Sequence, residues 1–191
     1  MEQQLLDHIS KFAKIDFTEK EVIGQYFKTS TFSKKENLHV AGKVCRANYF
    51  VVKGCLRMFF INEKGVEQTI LFALENWWLT DLMSFQKQIP SEFYIQAVEK
   101  TEVVYIDFDP HNELLMRYPA IEKYFRIMYQ HATAASQMRM KYIYSYSKEE
   151  YYKMFNRSYP EFIRRIPQYL LASFLGFTPE YLSEIRKKNI S

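Results

Sequence analysis

The sequence predicts an α+β chain, with a strand-rich front, one long helix and an all-α C-terminal segment that ends in a helix-turn-helix. Three observations carry this. From Thr31 to about Asp109, short runs rich in Val, Ile, Phe and Tyr are separated by turn residues roughly every 8–12 positions, as in a sandwich or barrel. Between Pro119 and about Tyr146, no Pro or Gly interrupts an apolar repeat of helical period. Residues 168–188, QYLLASFLGFTPEYLSEIRKK, place small, turn and apolar residues at the offsets that two crossed helices require.

The chain opens on an amphipathic helix, since Leu5, Leu6, Ile9, Phe12 and Ala13 recur at helical spacing. Thr18 followed by Glu21 reads as a capping box for a second helix reaching about Phe27. The strand runs are Tyr49–Val52, Leu56–Ile61, Gln68–Phe72 and Val103–Ile106, with Gly42, Gly54 and Gly65 between them. Asn62-Glu63-Lys64-Gly65 has the composition of a hairpin loop. After Asp109-Pro110 the pattern turns helical and stays so.

In the long helix, Ile121, Tyr124, Met128, His131, Ala135, Met138 and Tyr142 alternate by three and four residues, an a/d seam that Phe125 broadens. Such a seam pairs two copies of the chain or lies along the β domain. Pairing is the expected outcome, because the apolar surface exceeds what one small domain needs to cover, and Ala132, Ala134 and Ala135 permit close approach. Ser147 with Glu150 marks the start of a new helix. The expected domains are therefore 1–146, including the dimerisation helix at about 119–146, and 147–191.

Composition narrows the function class. Nearly half of the 191 residues are apolar and 17% are aromatic, enough for a sizeable core. The net charge is a mild +4, and residues 147–191 carry +3 of it, eight Lys/Arg against five Asp/Glu. That fits an acidic partner without the character of a polycation. Two cysteines, Cys45 and Cys55, are too few for a disulfide scaffold or a four-cysteine metal site and are expected to be reduced. The N-terminal residues lack the basic and apolar regions of a signal peptide. The longest apolar stretch, Thr69–Leu79, is broken by Glu75 and Asn76. A cytoplasmic protein without membrane partners is expected. His8, His39, His111 and His131 are scattered and read as structural or solvated.

The helix-turn-helix carries the function. Ala172 is the small residue that lets the second helix cross closely, and Gly176, four residues on, tolerates a left-handed turn. Leu171, Leu175, Phe177, Leu182 and Ile185 form the apolar set, Pro167 and Pro179 open the two helices, and Thr178 is a suitable N-cap. With Leu182 and Ile185 turned inwards, about 100° per residue points Glu180, Ser183, Glu184 and Lys187 outwards, as candidates for base edges in the major groove. Thr178 and the N-terminal amides would meet phosphate, joined by Arg186, Lys187, Lys188 and the neighbouring Tyr181. Double-stranded DNA is the expected partner.

A strand-rich front, a long seam helix and a terminal helix-turn-helix, with the segment Tyr49-Phe50-Val51-Val52-Lys53-Gly54-Cys55-Leu56-Arg57 and the Asn62–Gly65 hairpin, resemble the Crp/Fnr (cyclic-AMP receptor protein/FNR) family of bacterial transcription regulators. The resemblance covers nearly the whole chain. It implies a β-roll (a double-stranded β-helix, like cyclic nucleotide-binding domains), a dimerising helix and a DNA-binding domain. It also implies a homodimer on a pseudo-palindrome, with RNA polymerase as a further partner.

The effector site departs from the family pattern. Nucleotide-binding members carry Gly-Glu and then Arg-Ser or Arg-Thr around a short helix that holds the phosphate. Here Thr80-Asp81-Leu82 and Ser91-Glu92 stand at those places. An arginine offers bidentate bonds to phosphate, whereas Glu92 repels it. Cyclic AMP is therefore not the expected ligand, no cofactor is implied, and any small-molecule effector is unidentified. The adjacent Trp77-Trp78 either lines an apolar effector site or belongs to the core. A family iron–sulfur sensor needs four cysteines. No β-hairpin wing follows the second helix, so phosphate contacts from one are not expected.

Two other readings remain. A metal-dependent enzyme of cupin type would need clustered His and Glu ligands, but the strand segment holds only His39, so neither enzyme nor metal site is expected. An interaction module that lost DNA binding is favoured only by the outward Glu180 and Glu184.

Overall fold

The computed structural model describes residues 2–188, so the last three residues of the expected C-terminal domain lie outside the described part. Among the described residues two compact units emerge, 2–60 with 71–130, and 61–70 with 131–188.

The first unit starts with helices α1 (Glu2–Ser10) and α2 (Phe17–Gly24). The cap of α2 lies two residues earlier than the sequence suggests. Asp16 accepts from the Glu19 amide and a Glu19 carboxylate oxygen accepts from the Asp16 amide, a reciprocal box that starts ahead of Thr18. The helix also stops at Gly24 rather than near Phe27.

Eight strands follow: β1 (Lys28–Phe32), β2 (Asn37–His39), β3 (Ala47–Lys53), β4 (Leu56–Ile61), β5 (Glu67–Ala73), β6 (Trp78–Leu79), β7 (Tyr94–Ala97) and β8 (Thr101–Asp107). They form two four-stranded sheets, ordered β1-β8-β3-β6 and β2-β7-β4-β5. This is the expected β-roll. Gly54, between β3 and β4, has φ +104° and a second constraint. A Cβ there would sit 2.7 Å from Thr101 Cα and 2.8 Å from the Lys100 carbonyl, so only glycine lets the strands pass.

Between β6 and β7 lies the short helix α3 (Leu82–Lys87), and α4 (Phe108–Arg117) leads into α5 (Pro119–Ser145). The apolar face of α4 and the first turns of α5 pack with α1 against the roll. Leu5, Ile9, Phe50, Val104, Ile106, Leu114, Ile121, Tyr124 and Phe125 form one buried cluster. Trp78 belongs to it: its ring lies 5.0 Å from that of Phe125, and its Nε1–H donates to Tyr124 Oη at 2.8 Å. Trp77 points the other way and is 57% exposed, so the tryptophan pair divides between core and surface.

The seam of α5 divides too. Ile121, Tyr124 and Phe125 are buried in the chain's own core and cannot also face a second copy, which corrects their place in the expected dimer seam. Met128 packs at the edge of that core. From residue 131 onwards the helix is open: Ala135 and Met138 are exposed, and Tyr142 is half-buried, stacked on Tyr146. The three-four spacing is the same for either partner. The nearer end of the helix found apolar cover within its own chain.

In the second unit, α6 (Lys148–Ser158) starts at the anticipated Ser147–Glu150 box, followed by α7 (Pro160–Arg165), α8 (Gln168–Leu175) and α9 (Pro179–Lys188). Among the described residues no helix is long and apolar enough to cross a membrane.

Candidate nucleic-acid interface and effector seat

Helices α8 and α9 are joined as the sequence requires. Gly176 adopts φ +76°, and the Phe177 N–H reaches back to the Ala172 carbonyl at 2.8 Å, closing α8 with a left-handed residue that costs a side-chain-bearing one about 1–2 kcal/mol. Leu171, Ala172, Leu175, Phe177, Leu182 and Ile185 are all buried between the helices. Burying one such leucine or isoleucine stabilises by about 1.5–3 kcal/mol, so this small set accounts for the crossing. Thr178 accepts the Tyr181 amide at 3.2 Å and caps α9.

With Leu182 and Ile185 inwards, the remaining predicted residues fall on one open face. Thr178, Glu180, Tyr181, Glu184, Lys187 and Lys188 are exposed, and Ser183 and Arg186 are half-buried. The first turn is acidic at Glu180 and the last holds Arg186, Lys187 and Lys188. Tyr181 is less free than the others. Its ring meets Phe177 edge-on at 5.7 Å, with Lys148 Nζ 5.6 Å from its centre. The sequence does not announce that lysine, which adds a cation to the rim of the face.

The residues expected to line an effector pocket make the opposite arrangement. Asp81 caps α3, its Oδ1 accepting from the Met83 and Ser84 amides at 3.1 and 3.3 Å. Its Oδ2 accepts from the Ser91 hydroxyl at 2.6 Å, and Ser91 Oγ accepts in turn from the Phe93 amide at 3.0 Å. Thr80 donates to the Ala47 carbonyl at 2.9 Å. The structure thus gathers Thr80, Asp81 and Ser91 at one point. It leaves out Leu82, 40% exposed, and Glu92, also exposed.

Two further residues join this cluster: Ser84, which the sequence alone does not single out, and His39, which reads there as structural or solvated and not as part of the site. Ser84 accepts from the Cys45 amide at 2.8 Å and donates to the Ile89 carbonyl at 2.6 Å. His39 lies buried nearby. Burial lowers its pKa from the ordinary 6.5, opposed by the Asp81 charge. Only Ser84, a short polar residue on an apolar helix, carries a faint local signal.

Chemically, the amides at the start of α3 already hold an anion, and it belongs to the chain. A carboxylate tethered by its own backbone needs no binding entropy, so an external phosphate competes at a disadvantage. Both cysteines are free and fully buried, and burial pushes the Cys45 thiol up from its ordinary value, which disfavours the reactive thiolate. No group of three His, Cys, Asp or Glu side chains arranged to hold a metal occurs among the described residues.

Residues 29–118, which span the roll, match the family described as the cyclic nucleotide-binding domain. Solved structures extend the likeness past that segment. FixK2 from Bradyrhizobium japonicum aligns with TM-score 0.69 at 14% identity, over 85% of this chain and 83% of that one. The fold is Crp/Fnr-like. The catabolite activator protein of Thermus thermophilus aligns over 93% of this chain and 84% of that one, with TM-score 0.57 at 18% identity. A CooA mutant from Carboxydothermus hydrogenoformans covers 88% and 78%, with TM-score 0.63 at 15% identity. Among curated proteins, no sequence matches. At these identities the Crp/Fnr-like relation is one of fold, and what the site binds must be argued from the residues.

Proposed function

We propose that this protein is a homodimeric, sequence-specific DNA-binding transcription regulator of the Crp/Fnr type, acting in the cytoplasm, whose nucleotide seat does not take cyclic AMP. The observation that carries the reading is α9: an apolar stripe buried on Leu182 and Ile185, an open face of Thr178, Glu180, Ser183, Glu184 and Lys187, and a basic last turn. Ser183, Glu184 and Lys187 are the base-edge candidates, with Glu184 suited to accept from a cytosine amino group. Arg186, Lys187 and Lys188 supply phosphate contacts that set affinity and register.

Dimerisation rests on the open part of α5. Ala135 and Met138, with Met128 and Tyr142 at its ends, supply a shorter seam than the full heptad run, and two copies would present paired α9 helices to half-sites about one helical turn apart. RNA polymerase is the partner such a regulator would engage once on DNA. Rejection of cyclic AMP rests on the Asp81 seat and on the absence of an arginine at Ser91. Any effector is then of another class.

A gel-shift on the upstream region of the protein's own gene, at two salt concentrations, tests the reading. Replacing Lys187 and Lys188 together by Ala should weaken binding at least about tenfold and flatten the salt dependence by about two phosphate contacts per protomer, with the fold retained. Weak binding that is equal on all sequences and unchanged by the substitutions sinks the specific-regulator reading. It would favour the second one, an interaction module whose exposed Glu180 and Glu184 serve a protein partner. Calorimetry that finds micromolar or tighter cyclic AMP, lost on mutating Asp81 or Ser91, would overturn the seat.

A further inference from the structure

Residues 61–70, the tip of the hairpin between β4 and β5, belong to the same compact unit as α6–α9. Hydrogen bonds join that tip to one turn of α8. Ser173 Oγ accepts from the Thr69 amide at 2.8 Å and donates to the Glu67 carbonyl at 2.9 Å, so a serine on a helix satisfies a strand as a neighbouring strand would. The Gln68 side-chain amide donates to the Ser173 carbonyl. Arg139, on α5, donates to the Ile70 carbonyl and, at 2.7 Å, to the Phe174 carbonyl, with its guanidinium 4.0 Å above the centre of the Phe174 ring. Tyr151 of α6 also hydrogen-bonds that guanidinium.

The targets matter. Ser173 and Phe174 stand in the last turn of α8, where the negative end of the helix dipole gathers; the Ser173 carbonyl accepts the Gly176 amide at 3.2 Å and has its second lone pair for Gln68. A guanidinium and an amide are the donors such an end needs. They come from far along the chain: Arg139 is 35 residues from Phe174, and Gln68 is 105 from Ser173. Two residues beyond Phe174 comes the Gly176 turn into α9, so whatever holds this end of α8 also sets where α9 starts.

We propose that the β4–β5 tip and Arg139 form a clamp on the C-terminal turn of α8, making Arg139, Gln68 and Ser173 positioning residues for α9. None of them touches the open face of α9. The clamp works by narrowing the directions that α8, and through Gly176 the reading helix, can take. The consequence for DNA rests on the reading proposed above; the clamp itself does not.

The test uses the full chain with four variants: Arg139→Met, which keeps cover over Phe174 but loses every guanidinium hydrogen bond, Gln68→Ala, Ser173→Ala, and the conservative Ser173→Thr. Amide hydrogen exchange is followed by mass spectrometry, beside gel-shifts on the specific fragment and on a random duplex. Arg139→Met should speed exchange from Ser173 to Leu182 about tenfold or more, the scale of one lost charge-assisted bond, while α7 and the strands keep their rates. It should weaken specific binding by a similar factor and leave random-duplex binding unchanged. Gln68→Ala and Ser173→Ala should act in the same direction and less strongly, and Ser173→Thr should behave as the parent. Unchanged exchange at the turn, or a uniform rise across residues 148–188 that marks a general prop, overturns the clamp. If the parent protein shows no specific DNA binding, the proposed function fails while the exchange data still decide the clamp.

Discussion

The seat around Asp81 and the face of α9 are both polar surfaces at the start of a helix, yet they are finished in opposite ways. At the seat every oxygen of Asp81 is used by the chain itself, by the amides of α3 and by Ser91, and the carboxylate is only 6% exposed. On α9 Thr178, Glu180, Glu184, Lys187 and Lys188 are exposed, Ser183 and Arg186 are half-buried, and the Thr178 hydroxyl accepts the Tyr181 amide as the helix cap. The difference teaches where a partner can act. Polar groups that already satisfy one another hold a loop closed and gain little from a ligand. Polar groups left in water on a rigid apolar base can exchange that water for phosphates and base edges.

The contrast can be broken most severely at the apolar base. Leu182→Ala removes a fully buried side chain between α8 and α9 and should cost about 3 kcal/mol. Exchange protection should fall across residues 168–188 and hold in the strands. A loss spread evenly over both units would show that they do not respond separately. A smaller effect is expected at the seat. Asp81→Ala deletes the cap of α3 and leaves the buried Ser91 hydroxyl without its acceptor, a loss of about 2 kcal/mol seen in denaturant unfolding. Asp81→Asn retains an uncharged acceptor and should lose less than half of that. If the two variants prove equal, the charge rather than the geometry holds the seat.

The gentlest probe is acid. His8, His39 and His111, all in the first unit, have pKa values below the ordinary 6.5, chiefly through burial. Each is held neutral in the folded protein, while the unfolded chain takes up its proton at the ordinary value. Their contribution is therefore intact above pH 6.5 and is lost as pH falls from there towards the lower folded values. Thermal unfolding followed from pH 7.5 to 5.5 should show the first unit losing stability over that window. Replacing the buried His111, which packs edge-on against Phe125 and Phe85, by Phe should flatten the decline. An unchanged slope would place the acid response elsewhere.

Much of this was legible in the chain because its causes are local. Ser147–Glu150 marks the start of α6 because a capping box is made by residues three apart. The Gly176 turn and the buried set from Leu171 to Ile185 follow from one short stretch, so the helix-turn-helix could be read residue by residue. The α2 cap shows the limit even of local patterns: Asp16 and Thr18 each begin a plausible box, and the folded chain uses the first.

What only the tertiary structure decided depended on which distant segment arrived. A three-four repeat of apolar residues is the same signal whether the cover is the chain's own core or a second copy, and burial assigned Ile121, Tyr124 and Phe125 to the core. Trp77 and Trp78 are neighbours in sequence, but only Trp78 points at Phe125 and Tyr124. Asp81 meets Ser91, Ser84 meets Cys45, and Ser173 meets Thr69 across 10, 39 and 104 residues. The last two pairs lie beyond any local window, and even the first is brought within hydrogen-bonding distance by the folded loop and not by spacing alone. By itself the sequence determined that a helix-turn-helix follows a strand-rich domain. Folding in three dimensions decided that the seat is closed from within and that residues 67–69 of a strand hairpin hydrogen-bond the last turn of α8.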